Sequence, residues 1–289
     1  MEKLIYTPNK IEEIVRKVKE IVKKKYKPIA IIHFGSSLNP KDMMIESDID
    51  LMAILKRRYK SSIEVFCFDS IEVCVHLVSK KDFEESVKIG FPLVLMAVKF
   101  GKQIYGPKRF LEKYKEKANA TQKTFEIWYD NAWRVFHFAV LDYVCTTCPG
   151  CYLRDCHHAA RSFLRAFILR REGAICQRDE EILSRLPVKI QKLYRRLIEI
   201  RKNGEKFSFK PKLNRKASSL FKDREAHPLL LLEKIIRFVV KEIEGKDVKS
   251  LKDIAKGLKG EITSISIQKT GEVFILKGRK ILKRKLFKE

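Results

Sequence analysis

Acidic residues, glycine, proline and long apolar runs are all scarce in this 289-residue chain. It has 36 Asp+Glu against 62 Lys+Arg, and 12 Gly and 9 Pro. Few glycines and prolines in a charged chain are typical of heat-adapted proteins, and a hydrophobic content of 45% excludes a disordered chain. No apolar run reaches the roughly 18 residues of a membrane span, and residues 1–6 are too short and polar for a secretory signal. We expect a soluble, cytoplasmic protein with no membrane partner.

The positive charge is the strongest compositional signal. A formal net charge of +26 attracts polyanions, so RNA, DNA or nucleotides are the expected partners, and acidic proteins are an alternative. Residues 246–289 hold the densest basic patch. Against this, no RRM or KH signature of RNA binding is present. The oligomeric state is not predicted.

Hydrophobic periodicity divides the chain into three predicted segments: 1–115, 120–245 and 246–289. The first opens with an amphipathic helix over 9–25, capped by Asn9, and then reads as strands joined by turns. The second holds four helical stretches, which predict a bundle with an aromatic interior. The third holds a short helix, a hairpin and a basic tail. The predicted bundle helices are 121–145, 151–172, 178–202 and 217–244, and its interior aromatics are Trp128, Trp133, Phe136 and Phe138.

Two carboxylates and a glycine turn lie on neighbouring predicted strands. Asp48 and Asp50 are two residues apart on one strand, so they share a face while Ile49 and Leu51 point to the core. Paired carboxylates repel one another unless a cation lies between them, and Mg²⁺ prefers such oxygen ligands together with phosphates. Residues 35–37 (Gly-Ser-Ser) follow a buried strand, where backbone N–H groups can approach a phosphate. The alternative is a solvated Asp-x-Asp at a strand edge.

The string HFGSS (33–37), followed by SDIDL (47–51), resembles the signature of the DNA polymerase β-like nucleotidyltransferase superfamily. The resemblance covers about residues 8–115. It implies a mixed sheet flanked by helices for this segment, so the predicted fold class of the chain is α+β, with the all-α bundle and the small basic C-terminal β-hairpin following the sheet. It also implies that Asp48 and Asp50 hold two Mg²⁺ ions, and that Gly35, Ser36 and Ser37 bind the triphosphate of an NTP. An acceptor hydroxyl then attacks the α-phosphorus, and pyrophosphate leaves.

The superfamily has a third carboxylate on a later strand, and Glu72 is the best candidate. In IEVCVHLV (71–78) its side chain shares a face with Cys74 and His76. It would ligate the catalytic metal or accept the proton of the hydroxyl. The third acid is more often Asp in these proteins, and Asp69 and Glu64 are the alternatives. Lys41 and the cluster at 56–58 are candidates for neutralising phosphates, or are solvated basic residues on loops.

The helical half has a weaker resemblance. YLRDCHHAARSFLRAF (152–167) is similar to helices of HEPN-type and kanamycin-nucleotidyltransferase-type bundles, which often follow this catalytic domain. Ribonuclease versions carry an Arg four to six residues before a His. Arg154 precedes His157 by three residues and His158 by four, and Arg224 precedes His227 by three, so the spacing does not fit cleanly and ribonuclease activity is disfavoured.

Four cysteines, Cys145, Cys148, Cys151 and Cys156, form the pattern C-x2-C-x2-C-x4-C between two predicted helices. Thiolates in such a cluster can hold Zn²⁺ or an iron–sulfur cluster. The spacing matches neither the paired C-x2-C zinc pattern nor the ferredoxin run. The same spacing is also compatible with a disulfide or with packed free thiols.

The first functional hypothesis is a Mg²⁺-dependent nucleotidyltransferase whose acceptor is RNA or another nucleic acid. A small-molecule acceptor, or a protein acceptor as in nucleotidylating antitoxins of this fold, is an alternative within the same class. The second hypothesis is a non-catalytic nucleic-acid-binding protein with a decayed transferase site. Retention of both aspartates argues against decay, because their repulsion is a cost without a metal.

Overall fold

The chain forms two compact units, residues 1–124 and residues 125–289, in a computed structural model. The structure describes residues 7–40, 43, 47–145, 148–203, 215–216, 220–222, 226–278 and 280–288. None of the described helices has the length and apolar character needed to cross a membrane. The predicted division into three segments stays a prediction.

The first unit contains α1 (Pro8–Tyr26), β1 (Ala30–Phe34), a 3-10 turn (Ser36–Leu38), β2 (Ile49–Leu55), β3 (Ile63–Phe68), β4 (Ile71–Ser79), α2 (Lys80–Ile89), α3 (Pro92–Phe100), β5 (Lys102–Tyr105) and α4 (Glu112–Lys115). Its sheet has the order β3-β4-β2-β1-β5. Strands β2 and β4 are parallel, and the other neighbours are antiparallel. A mixed sheet flanked by helices confirms the predicted fold class of this unit.

One face of this sheet packs against α1. The residues of β2 and β4 on that face are buried together with Ile11, Ile14, Val18 and Val22 of the helix. Burying each such side chain contributes roughly 1.5–3 kcal/mol, which fixes the register of the strands. The helix begins one residue before the predicted start. Thr7, and not Asn9, is the N-cap, and its hydroxyl accepts from the Lys10 N–H at 3.3 Å.

The opposite face of the sheet is covered along only part of its length. Met52 and Ile54 of β2 are fully buried there, and helices α2 and α3 pack against the sheet. At the other end of the same strand, Asp50 is only half-buried. The start of β2 and the start of β4 therefore leave part of this face open to solvent.

The second unit is helical, with a small sheet at its C-terminal end. Its elements are α5 (Gln122–Val144, which begins in the first unit), α6 (Pro149–Glu172), α7 (Asp179–Ser184), α8 (Val188–Lys202), β6 (Arg215–Lys216), α9 (His227–Glu244), α10 (Leu251–Ala255), β7 (Glu261–Ile262), β8 (Ser264–Ile267), β9 (Glu272–Lys277) and β10 (Lys280–Lys285). Helix α6 packs against both α8 and α9. The helical region and the β8–β9 hairpin confirm the rest of the predicted fold class, whereas the likeness to HEPN-type bundles stays a prediction.

Three predictions about this unit are wrong in detail. The helix predicted over 178–202 is two helices, because Pro187 lies between α7 and α8 and has no N–H for an i→i−4 bond. Trp128, Trp133 and Phe136 are buried as predicted, but Phe138 is 43% exposed. The basic tail, for which the sequence predicts no element, contains β10, which pairs with β9. Of the helix predicted over 217–244, residues 220–222 form a turn and α9 begins only at His227, while residues 217–219 and 223–225 lie outside the described chain.

Candidate functional site

The Gly35 turn lies directly against the Asp50 side chain. Gly35 follows the last residue of β1 and has φ +86°, a conformation that favours glycine. A Cβ atom built on Gly35 would lie 2.6 Å from the Asp50 Oδ2 atom, closer than real carbon atoms approach a carboxylate. The antiparallel pair Phe34 and Asp50 sets this approach. Only a glycine therefore lets the turn and the carboxylate meet.

Asp48 and Asp50 lie on the predicted face. Ile49 and Leu51, which alternate with them, are fully buried on the α1 side. The pKa of Asp48 is raised by burial, then by the nearby charge of Asp50 and, more weakly, of Glu72. These three acids thus influence one another, and a negative charge on Asp48 is unfavourable without a cation.

Strand β4 adds a thiol and an imidazole to the same face. Its parallel register places Cys74 beside Asp50, and the thiol of Cys74 is hydrogen-bonded to Asp48. Burial and then the charges of Asp48 and Asp50 raise the Cys74 pKa to about 12, so the thiol stays protonated and can donate. His76 lies two residues after Cys74 on the same face of β4, and its Nε2 atom is 3.4 Å from the Asp50 Oδ1. The sequence phase placed both residues on this face, but it assigned neither a role.

Glu72 is the outermost of the predicted acids. It is exposed, pairs with Cys67 across the β3–β4 hairpin, and interacts electrostatically with Asp48. Within the described chain, no three His, Cys, Asp or Glu side chains converge closely enough to hold a metal ion without other ligands. A metal at this site would therefore need oxygen atoms from a substrate or from water in addition to the carboxylates.

The two alternatives to Glu72 lie elsewhere. Glu64 opposes Val75 on β4 and therefore points to the α1 side of the sheet, where it accepts a hydrogen bond from Lys25. Asp69 is in the hairpin turn and pairs with Lys10 at 3.5 Å. Neither residue reaches the face that carries Asp48 and Asp50.

His33 supports the glycine turn from the other face of β1. Its Nε2 atom is 2.7 Å from the Ser37 hydroxyl, and both residues are buried. Burial, together with the charge of Lys102, lowers the His33 pKa to about 4, so the imidazole is neutral at pH 7. A cavity of about 740 Å³ adjoins this pair, lined also by Glu12, Arg16 and Lys102. The bond holds the first residues after Gly35 to the end of β1.

The predicted basic cluster at 56–58 is at the wrong end of the sheet. It follows the last residue of β2, whereas the aspartates lie at its first residues, roughly 20 Å away along a strand. Arg58 instead pairs with Asp82 at 3.0 Å. Lys41, the other candidate, lies outside the described residues.

The cysteine cluster contains a disulfide. Cys148 and Cys151 are bonded to each other, while Cys145 and Cys156 are free thiols. Cys148 is the N-cap of α6, Cys145 donates to the Thr263 carbonyl at 3.0 Å, and Cys156 is buried. The structure therefore has the disulfide alternative at Cys148 and Cys151, and the four-thiolate metal site stays a prediction.

No model of a known protein family matches this chain, and no curated protein matches it. Among solved structures, it is similar to a nucleotidyltransferase-like protein from Exiguobacterium sibiricum, with 16% identity, a TM-score of 0.32, and 95% of this chain and 99% of that chain covered. It is also similar to a spectinomycin adenyltransferase from Enterococcus faecialis, solved with ATP and spectinomycin, with 13% identity, a TM-score of 0.49, and 79% and 98% covered. Similarity at this level assigns neither an activity nor a substrate.

Proposed function

We propose that the first unit is the catalytic domain of a Mg²⁺-dependent nucleotidyltransferase. It would move an NMP group from an NTP to an acceptor hydroxyl and release pyrophosphate. The observation that carries the proposal is the approach of Gly35 to Asp50, which brings the backbone of the glycine turn beside the paired carboxylates. Backbone N–H groups of such a turn can donate to phosphate oxygens next to a metal held by that pair.

The residues present fit Mg²⁺. Asp48 and Asp50 offer carboxylate oxygens, and the raised pKa of Asp48 reflects the burial and repulsion that a cation would offset. Mg²⁺ commonly takes one or two protein carboxylates and completes its shell with water and phosphates, so a third close protein ligand is not required. When bound, the metal would neutralise the triphosphate; the superfamily resemblance implies two ions.

The chain's own groups then have distinct roles in the proposed reaction. Backbone N–H groups of residues 35–37 donate to phosphate oxygens, and His33 holds the turn through Ser37. Glu72 accepts the proton of the acceptor hydroxyl. The new bond joins that oxygen to the α-phosphorus, while the bond from the α-phosphorus to the bridging oxygen breaks and pyrophosphate takes the electron pair.

For the acceptor we favour a nucleic acid, with RNA first. The net charge of +26 supports this choice, as do the exposed cations Lys280, Lys283 and Arg284 of β10. Phosphate contacts of this kind add affinity that falls with salt. Small-molecule and protein hydroxyls are the other acceptor classes included in the test below.

The test is incubation of the purified protein with each α-labelled NTP, Mg²⁺ and one acceptor class at a time: total RNA, protein or small polyols and aminoglycosides. Asp48→Asn and Asp50→Asn should each reduce label transfer by at least 100-fold, and Glu72→Gln should reduce kcat more than it raises KM. Asp69→Asn is the matched control, because it removes an exposed acid from the β3–β4 hairpin, which also carries Glu72. Transfer that survives both aspartate substitutions, or no transfer to any of the three classes, would contradict the proposal.

A further inference from the structure

A buried polar network lies between helices α6, α7 and α8 of the second unit. Asp179 has three close partners in it: Arg161 donates Nε–H to it at 2.9 Å, His157 lies 3.1 Å away, and the Tyr194 hydroxyl donates at 2.6 Å. His157 is fully buried and Asp179 is 7% exposed. These three contacts occupy most of the roughly four lone-pair positions at which the Asp179 carboxylate can accept hydrogen bonds.

His157 connects Asp179 to a second arginine. The Arg201 Nη1 atom is 2.7 Å from the His157 Nδ1. Because a guanidinium only donates, Nδ1 must be the acceptor, and Nε2 carries the proton that faces Asp179. Burial lowers the His157 pKa to about 4, in agreement with a neutral ring. Arg201 is 9% exposed, so a cation is buried here against a neutral partner.

Arg165 is one helical turn beyond Arg161 on α6. Its Nη2 donates to the Gln177 carbonyl at 2.7 Å, and its guanidinium lies 6.0 Å from the Trp128 ring centroid. Its Nε atom is buried and has no hydrogen-bond partner within the described chain. A buried guanidinium N–H without an acceptor is unfavourable, so an acceptor is missing at this position.

The charges around these groups do not balance. Within the described chain, Arg161 pairs with Asp179 at 2.9 Å, and Asp155, which pairs with Arg154 at 3.2 Å, also attracts Arg201 electrostatically. Burial and then the charge of Arg161 lower the pKa of Arg165 and of Arg201 to about 10. Asp142, near Asp155, has its pKa raised to about 6 by burial and then by Asp155, so it is still mostly ionised at pH 7. The three arginines therefore repel one another, and together with Arg154 they outnumber the three carboxylates Asp142, Asp155 and Asp179 by one.

We propose that Arg161, Arg165 and Arg201 form a binding site for a phosphate group. Guanidinium groups match phosphate oxygens in pairs of parallel hydrogen bonds, and a phosphate would supply both the missing acceptor and the missing negative charge. Arg161 keeps 22% of its side chain exposed, which gives a ligand access to the cluster. A mononucleotide and a polynucleotide both carry the phosphate that this site would bind, and such binding requires no transferase activity.

The test uses the full chain in EDTA and a phosphate-free buffer, with ionic strength held constant by NaCl. Thermal unfolding is followed against inorganic pyrophosphate, which should raise the midpoint with saturation. Arg165→Met should weaken the apparent pyrophosphate affinity at least fivefold. Arg195→Met removes an exposed cation from α8 and should leave that affinity unchanged. Equal affinities of Arg165→Met and the unmodified protein would overturn the proposal, because the anion would then bind elsewhere.

Arginine side-chain NMR gives a second readout that needs no variant. Pyrophosphate should shift the Nε–H resonance of Arg165 in the unmodified protein, and an unmoved resonance at saturating pyrophosphate would contradict the site. Repeating the titration with ATP and with a single-stranded RNA oligonucleotide distinguishes the two sources of phosphate. The site takes nucleotides if ATP alone moves the resonance, and polymers if the RNA does so at lower concentration.

Discussion

At the scale of single residues, Gly35 is the position where backbone conformation and charge meet. Its φ of +86° disfavours any other residue, and a Cβ atom would press on the Asp50 carboxylate. Displacement of a metal ligand by about 1 Å can reduce a reaction rate about 100-fold. The site therefore depends on the absence of one side chain as much as on the presence of two carboxylates.

Gly35→Ala should cost about 1–3 kcal/mol of stability and reduce nucleotide transfer at least 100-fold. Chemical denaturation and the labelled-NTP assay measure the two effects. Gly173→Ala is the matched control, since Gly173 also has a positive φ (+66°) but has no atom within 4 Å of the added Cβ. It should lose stability and keep activity. Equal activity of the two variants would refute the close approach.

His33 makes a second residue-scale prediction, on pH. Its folded pKa of about 4 is below its ordinary value of 6.5, so the unfolded chain binds a proton that the folded protein does not. The contribution of neutral His33 is intact above pH 6.5 and is lost progressively as the pH falls toward 4. Between pH 7 and pH 5 this amounts to roughly 2 kcal/mol.

The measurement is the free energy of unfolding at pH 7 and pH 5 for the unmodified protein and His33→Gln, because glutamine can hydrogen-bond to Ser37 without titrating. The variant should lose roughly 2 kcal/mol less over this interval. The same loss in both proteins would show that His33 is not held neutral.

At the scale of elements, the alternation in IEVCVHLV was enough to place Glu72, Cys74 and His76 on one face. It could not show that β4 lies parallel to β2, because that pairing depends on contacts distant in sequence. The break between α7 and α8 was readable from Pro187. The pairing of β10 was not, since its exposed basic residues lack the alternation of a half-buried strand.

The prediction at this scale concerns helix α6, whose N-cap residue Cys148 forms a disulfide with Cys151 in the first turn. A loop this short contributes about 2 kcal/mol in the chain-entropy model. Adding a reductant should lower the free energy of unfolding by that amount in the unmodified protein and leave Cys148→Ser/Cys151→Ser unaffected. Cys67→Ser, which removes an exposed free thiol, should respond like the unmodified protein. A reductant effect that persists in the double variant would exclude this bond as its cause.

At the scale of the whole molecule, the net charge of +26 governs which partners approach. Composition showed the excess, but it could not show where arginines are buried. Arg161, Arg165 and Arg201 became a cluster only through the packing of α6 against α8. The exposed cations therefore attract anionic partners over a distance, whereas the buried arginines matter for binding at one place.

The logarithm of the affinity for single-stranded RNA should fall linearly as the logarithm of the salt concentration rises. Lys280→Gln/Arg284→Gln, on one face of β10, should reduce that slope by about 1. Lys192→Gln/Arg195→Gln removes the same charge from exposed positions of α8 and should change it less. Equal slopes for the two double variants would show that β10 is not the contact surface.

A metal-dependent nucleotide site is tested most simply by equilibrium binding of a non-hydrolysable ATP analogue, with Mg²⁺ and with EDTA. We predict binding that requires Mg²⁺ and is weakened at least tenfold by Asp48→Asn or Asp50→Asn, with Asp69→Asn unchanged. Equal affinity in EDTA and in Mg²⁺, unaffected by either aspartate substitution, would contradict a metal-dependent nucleotide site on this face of the sheet.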